Sequence, residues 1–266
     1  SGMRLRLDGA DEWVLPDGIY LEGHDHFIVW FDGDDLIRRG EISGIVVDRS
    51  LPASGAGIEL LTAEGRLLDQ LRFGIQVVDQ TIGRKGNQWQ LLVEGTPGKV
   101  NGKAVPLGST HDLRINEWSG GGEGDDWLEL YQRGNQPVDI SGLYLTDDPS
   151  LAEKTKHAIA NLSFVGPKSW VVFRADGEPQ RGSDHLNFRL SSKGETLRIY
   201  AESLNVIDEI LVADSLVQGG SSGRLPDGED RLVSFDTVET SKGLPNHTQI
   251  EGLQINELLL TPRTPS

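Results

Sequence analysis

The sequence predicts an all-β protein made of sandwiches set in tandem. Three observations predict it. Short apolar segments recur between clusters of Gly, Asp and Pro, the spacing of sandwich strands rather than of helices. The chain carries 33 glycines among its 266 residues, enough to supply many turns. The later part of the chain also repeats the words of the earlier part.

In chain order, strands are expected near residues 4–7, 18–21, 27–31, 41–47, 57–61, 67–73 and 88–92, then near 113–118, 126–131, 142–146, 169–174, 196–200 and 206–210. The central stretch runs from Asp126 to Asp147. Leu128 and Leu130 alternate there with Trp127, Glu129 and Tyr131, the period of a half-buried strand. Arg133-Gly-Asn-Gln-Pro137 turns the chain, and Val138 and Ile140 then alternate with Asp139 and Ser141, so this stretch reads as a β-hairpin. Residues 150–161, apolar Leu151, Ala152, Ala158 and Ile159 among charges, read as a helical turn or a loop.

The repeat sets the domain map. Gly83-Arg84 matches Gly223-Arg224, Leu67-Leu-Asp69 matches Val206-Ile-Asp208, and Gly98-Lys-Val-Asn101 echoes Gly243-Leu-Pro-Asn246. Leu253-Gln-Ile-Asn-Glu257 repeats Leu113-Arg-Ile-Asn-Glu117 at a separation of 140 (255 − 115). The first copy has no Ile-Asn-Glu strand and no Asp-Trp-Leu-Glu strand. The expected domains are therefore residues 3–108, a repeat lacking its first two strands, and 109–250, a complete copy joined by a linker at 105–110. Residues 251–266 are the opening strand of a further copy with a disordered tail. A lone strand with Leu253, Ile255, Leu258 and Leu260 apolar cannot bury itself, so strand exchange from Leu253 to Leu260 onto an exposed sheet edge is expected, in the same or a neighbouring molecule.

Between Leu113 and Asn246 the words resemble the lamin-tail domain family. The pieces are Leu113-Arg-Ile-Asn-Glu117, Asp126-Trp-Leu-Glu-Leu-Tyr131, Asn135-Gln-Pro-Val-Asp-Ile-Ser-Gly-Leu-Tyr-Leu-Thr-Asp147, Ser169-Trp-Val-Val-Phe173, Leu186-Asn-Phe-Arg-Leu-Ser-Ser-Lys-Gly-Glu195, Val206-Ile-Asp208, Ser222-Gly-Arg-Leu-Pro-Asp-Gly228 and Gly243-Leu-Pro-Asn246, in the family's order. The resemblance implies an immunoglobulin-like β-sandwich and, from the family's bacterial members, a secreted or cell-envelope setting. It implies no catalytic signature, because this fold hosts unrelated activities.

Composition narrows the function. The formal charge is −16, from 25 basic and 41 acidic residues, and both repeats are acidic, so a phosphate backbone is repelled on average. No cysteine is present, which removes thiolate chemistry, disulfides and cysteine-based zinc sites. No apolar run approaches the ~18 residues of a membrane helix. Ser1-Gly2 reads as an expression scar, with no signal-like apolar stretch behind it.

The candidate site residues are structural. Glu117 and Glu129 fall on neighbouring strands, and a carboxylate buried without a partner is costly, so Arg224 is expected to pair with one of them. Arg84 is expected to lack that partner, unless Glu257 supplies it. Trp127 and Tyr131 share a strand face and are expected either in the core or as a ligand-stacking platform of the kind that binds sugars. No metal ligands are assigned. His24-Asp-His26 reads as a surface turn, and the acidic turns at Asp125-Asp126, Asp147-Asp148 and Asp227 leave Ca²⁺ as a weak alternative without an Asp-x-Asp-x-Asp-Gly loop. No catalytic residues are expected, and no nucleophile elbow or phosphate loop occurs. The expected function is a non-catalytic structural and protein-interaction module, with a carbohydrate-binding accessory domain as the alternative.

Overall fold

The computed structural model describes residues 2–31, 44–120, 126–150, 152–191, 193–212 and 219–248. These residues form an all-β protein with several sheets and two short 3₁₀ turns. Among them, no helix is long and apolar enough to cross a membrane. The segment from Leu253 to Leu260 and its expected docking lie outside the described residues.

The first part of the chain contributes β1 (Arg4–Leu7), β2 (Asp11–Val14), β3 (Val29–Phe31), β4 (Ile45–Val47), β5 (Ala56–Leu61), β6 (Leu67–Phe73), β7 (Thr81–Lys85) and β8 (Gln88–Leu92). The largest sheet here has the order β2-β1-β5-β6. Its first hairpin turns through Asp8 and Gly9, both at positive φ, which Asp tolerates and Gly favours. β3 and β4 pair in parallel, and β7 and β8 form a separate antiparallel ribbon.

The second part adds β9 (Leu113–Ser119), β10 (Trp127–Gln132), β11 (Val138–Asp139), β12 (Tyr144–Thr146), β13 (His157–Ala158), β14 (Phe164–Val165), β15 (Ser169–Arg174), β16 (Glu195–Tyr200), β17 (Val206–Val212), β18 (Ser221–Arg224) and β19 (Leu232–Phe235). Five strands make one sheet in the order β15-β10-β9-β18-β19, and four make another in the order β13-β12-β16-β17. Leu113, Ile115, Leu128, Leu130 and Phe173 from the first share one apolar core with Leu145, Leu197, Ile199 and Ile210 from the second. Two sheets closing over a common core is the layering of a β-sandwich.

The first part has a smaller buried cluster, Leu7, Ala56 and Phe73, and Leu162 from the second part packs against it. The two parts are stitched by backbone. Gly74 N–H donates to Asn161 C=O at 2.9 Å and Phe164 N–H to Ile75 C=O at 2.8 Å. The Gln76 amide adds a bond to Leu162 C=O at 2.6 Å. Val105, expected as the start of a linker, is tied to β8 through Leu91 C=O at 2.8 Å.

The hairpin expected from Asp126 to Asp147 does not form. β10 pairs with β9 and β15, while β11 pairs with β14 and β12 belongs to the facing sheet. All six residues of β10 are buried, so it is a central strand covered on both faces, whereas one-sided alternation suggested a half-exposed one. Residues 18–21 form no strand; Tyr20 and Leu21 are exposed. Residues 152–155 turn and lead into β13.

Candidate functional site: a buried carboxylate cluster

Glu117 on β9 stands opposite Glu129 on β10, and both are fully buried. A bulge explains how they come together. The register slips between Glu129 and Leu130, so Leu130 faces Ile115 and Asn116 is the extra residue. Ile115 and Trp118 both reach the core, which leaves Asn116 and Glu117 together in the polar cluster on the opposite face. Without the extra residue, strict alternation would separate them.

The chain from β18 to residue 246 supplies the donors. Glu117 accepts from the Ser221 hydroxyl, from Ser241 N–H at 3.3 Å and from the Ser241 hydroxyl at 3.1 Å. Ser241 Oγ also lies 2.8 Å from Asn246 Oδ1. One hydroxyl proton serves one acceptor at a time, so a proton on Glu117 that it donates to Ser241 would satisfy both contacts. Glu129 accepts from Asn116 Nδ2 at 2.9 Å and from Gly243 N–H at 2.6 Å. Asn116 also donates to Asp227 at 2.8 Å and accepts from Gly228 N–H at 2.9 Å.

Burial dominates the electrostatics. Desolvation pushes the Glu129 carboxyl up to about 8, against the bonds from Asn116 and Gly243 and with the help of the nearby Glu117 and Asp227 charges. Desolvation likewise raises Glu117, opposed by its serine donors. Glu129 therefore keeps its proton at neutral pH, as a hydrogen-bonding joint rather than a charge.

Arg224 is buried and paired with a carboxylate, but its partner is neither glutamate. Its guanidinium bonds Asp208 on β17 at 3.0 and 3.2 Å, Ile115 C=O at 2.8 Å and Glu229 C=O at 2.7 Å. The glutamates lie where serine, asparagine and backbone donors already serve them, while Asp208 reaches Arg224 from the facing sheet. Glu257 lies outside the described residues, and Arg84 has a different acid beside it. It pairs with Asp69 at 3.2 Å. Asn101 donates to Arg84 C=O at 2.8 Å, as Asn246 donates to Arg224 C=O at 2.8 Å.

Trp127 and Tyr131 are buried and make no stacking platform. Tyr131 packs on Trp170, with ring centroids 5.2 Å apart, and beneath Gly228. Lys242 Nζ lies 5.4 Å from the Trp127 ring centre. The segment carrying Gly228 and Lys242 covers the face that an isolated strand would have left open.

Among the described residues, no group of three or more His, Asp or Glu is placed to hold a metal ion. Asp227 accepts from Asn116 and from Asn246 N–H, Asp147 pairs with Lys156 at 2.7 Å, and Asp148 accepts from Ser150 N–H. A cleft of about 810 Å³ runs between β6, β8 and residues 161–164, away from both glutamates. The sequence signalled Asn116 through its place in the repeated Ile-Asn-Glu word. Ser221 and Ser241 carried no signal of their own. No protein-family model, curated protein or solved structure matches the chain.

Proposed function

We propose that this chain is a non-catalytic structural and protein-interaction module of a larger secreted or envelope protein, built of tandem immunoglobulin-like sandwiches of the lamin-tail kind. One observation carries the reading. The residues richest in chemistry, Glu117, Glu129, Asn116 and Asp227, spend their bonds on one another and on residues 221–246 of their own chain, with both glutamates closed to water. A carboxylate pair held in this way anchors a covering segment. A hydrolase would need the same groups to face a substrate-sized cleft.

The tandem reading is supported by the recurrence of Asp–Arg–Asn geometry: Asp69, Arg84 and Asn101 repeat the bonding of Asp208, Arg224 and Asn246. The sugar-binding alternative loses its aromatic pair, since Trp127 and Tyr131 are both buried.

The test is a panel of polysaccharides for retention, with chromogenic glycosides and esters for turnover. The expected result is neither saturable retention nor turnover. Turnover by the wild-type protein that Glu129→Gln abolishes would overturn the reading, and so would saturable polysaccharide binding.

A further inference from the structure

In the second part of the chain a strand lies in a slot whose grips can be named. β18 pairs with β9, Gly223 opposite Glu117 and Ser222 opposite Trp118. Ile115 N–H donates to Asp208 at 2.8 Å, and Ile115 C=O accepts from Arg224 Nε at 2.8 Å. The Ser221 and Ser241 hydroxyls hold the Glu117 carboxyl, and Asn246 orders the turn by bonding Arg224 C=O. The gripped word is Ile115-Asn116-Glu117.

The first part carries the same grips. Asp69 and Arg84 pair, and Asn101 bonds Arg84 C=O. Two positions before Gly83 stands Thr81, as Ser221 stands before Gly223, and two before Gly98 stands Thr96, as Ser241 stands before Gly243. Thr96 lies 3.4 Å from Asn101 Oδ1, as Ser241 lies beside Asn246 Oδ1. A side chain on Gly83 would meet Asn101 Nδ2 at 2.9 Å, and one on Gly223 would meet Asn246 Nδ2 at 2.9 Å, so both glycines sit in one local geometry.

What differs is the strand. Among the described residues β7 pairs with β8 alone, and its other edge has no strand on it. Accordingly Arg84 and Asp69 are 44% and 56% exposed, against 5% and 12% for Arg224 and Asp208. An open strand edge with a charged pair set to receive a peptide is suited to strand addition.

We propose that this edge accepts Leu253-Gln-Ile-Asn-Glu257 from a second copy of the chain, joining molecules head to tail. The segment matches Leu113-Arg-Ile-Asn-Glu117 at four of five positions. By the register of the filled slot, Ile255 N–H reaches Asp69, Ile255 C=O reaches Arg84, and Glu257 lies opposite Gly83 between Thr81 and Thr96. The spacing favours a second copy. Leu113 follows Asn101 by 12 positions (113 − 101) and enters the slot downstream of it, and Leu253 follows Asn246 by 7 (253 − 246). A strand so placed serves the next body, and residues 81–101 of another molecule are such a body. The interface is heterologous and so builds closed rings or open chains of molecules.

The inference rests on the tandem reading above. The test uses the 266-residue chain, which contains no cysteine. An Ile82→Cys chain is mixed with a Leu258→Cys chain and oxidised. The expected product is a disulfide-linked heterodimer, absent when Gln90→Cys replaces Ile82→Cys. In sedimentation, the wild type is expected to associate as concentration rises. Ile255→Pro, which removes the bonding N–H, should lose the associated species. Arg84→Ala should weaken association about tenfold or more, the change expected for one charge-assisted hydrogen bond. A wild type that stays monomeric, or one whose association neither variant alters, overturns the proposal. So does a cross-link formed only within a chain carrying both cysteines. These outcomes leave the non-catalytic reading intact, whereas substrate turnover would remove that reading without touching the strand edge.

Discussion

Arg224 and Asp208 clasp the Ile115 peptide between them. The carboxylate takes its N–H and the guanidinium its carbonyl, while the two charges bond each other at 3.0 and 3.2 Å. This ties β18 and β9 of one sheet to β17 of the other. Both side chains are nearly closed to water, so removing Arg224 strips Asp208 of its countercharge, and removing Asp208 leaves Arg224 only the exposed Asp230 at 3.4 Å. Arg224→Ala and Asp208→Ala are each expected to cost about 3–5 kcal/mol. Urea denaturation reads this as a lower midpoint, and the double variant should lose less than the sum of the two singles.

The corresponding pair in the first part should behave otherwise. Arg84 and Asp69 stand about half exposed, so water and salt screen them. Arg84→Ala is expected to cost at most about 1 kcal/mol in dilute, monomeric protein. A thermal melt showing a loss comparable to that of Arg224→Ala would mean the pair is sealed in solution.

Much of this could be read from residue patterns. The strands at β1, β6, β8, β9, β15 and β16 follow from short apolar runs between turn residues, and β1, β6, β8 and β15 fall at the expected bounds. The glutamates were recognisable as needing partners because each interrupts an apolar strand, with Arg224 as the candidate partner. Their partners were not. Which acid meets Arg224 depends on how β17 lies across from β18, a relation between sheets that no local period encodes. The sequence did hold a clue, since an Asp precedes the Gly-Arg pair's Arg by 15 positions in the first part (84 − 69) and by 16 in the second (224 − 208). Alternation alone left the Trp127 and Tyr131 face open between core and stacking platform, because the cover that buries it comes from residues 228 and 242, about a hundred positions away. β2, β7 and β18 escaped notice because Gly, Ser and charged residues break their apolar pattern.

Stability should fall as pH rises past neutrality. Glu129 binds its proton up to about 8 when folded, against an ordinary value of 4.5, so between those limits the folded state holds a proton the unfolded chain has released. The stabilisation is complete below the ordinary value and lost as pH climbs through about 8. Glu195, raised to about 7 by burial, adds the same sign. His157 acts in the opposite sense, because burial lowers it to about 4 from 6.5, but its influence ends near 6.5. The clean window is therefore pH 6.5 to 8.5, where the melting temperature should drop by an amount reflecting roughly 1–3 kcal/mol. In Glu129→Gln most of that slope should vanish. Its absolute stability is a poorer guide, because the new amide cannot accept from both Asn116 and Gly243. A variant that keeps the wild-type slope would place the titration elsewhere.

The seam between the two parts offers a steric test at Gly74. A methyl group there would overlap Ser163 Oγ and come within 3.0 Å of the Ala160 side chain. Ser163 cannot easily yield, since its hydroxyl accepts from Ile75 N–H at 3.1 Å and donates to Ala160 C=O at 2.7 Å. Gly74→Ala must therefore push the strands apart where Gly74 and Ile75 bond Asn161 and Phe164. The expected cost is about 1–3 kcal/mol, the usual range for overpacking. Ser163→Ala removes the clashing oxygen at the cost of two hydrogen bonds. In the Gly74→Ala/Ser163→Ala double variant the losses should then fall short of additive by about 0.5 kcal/mol or more, measured by chemical denaturation. Strict additivity would mean that the seam already opens at this point in solution.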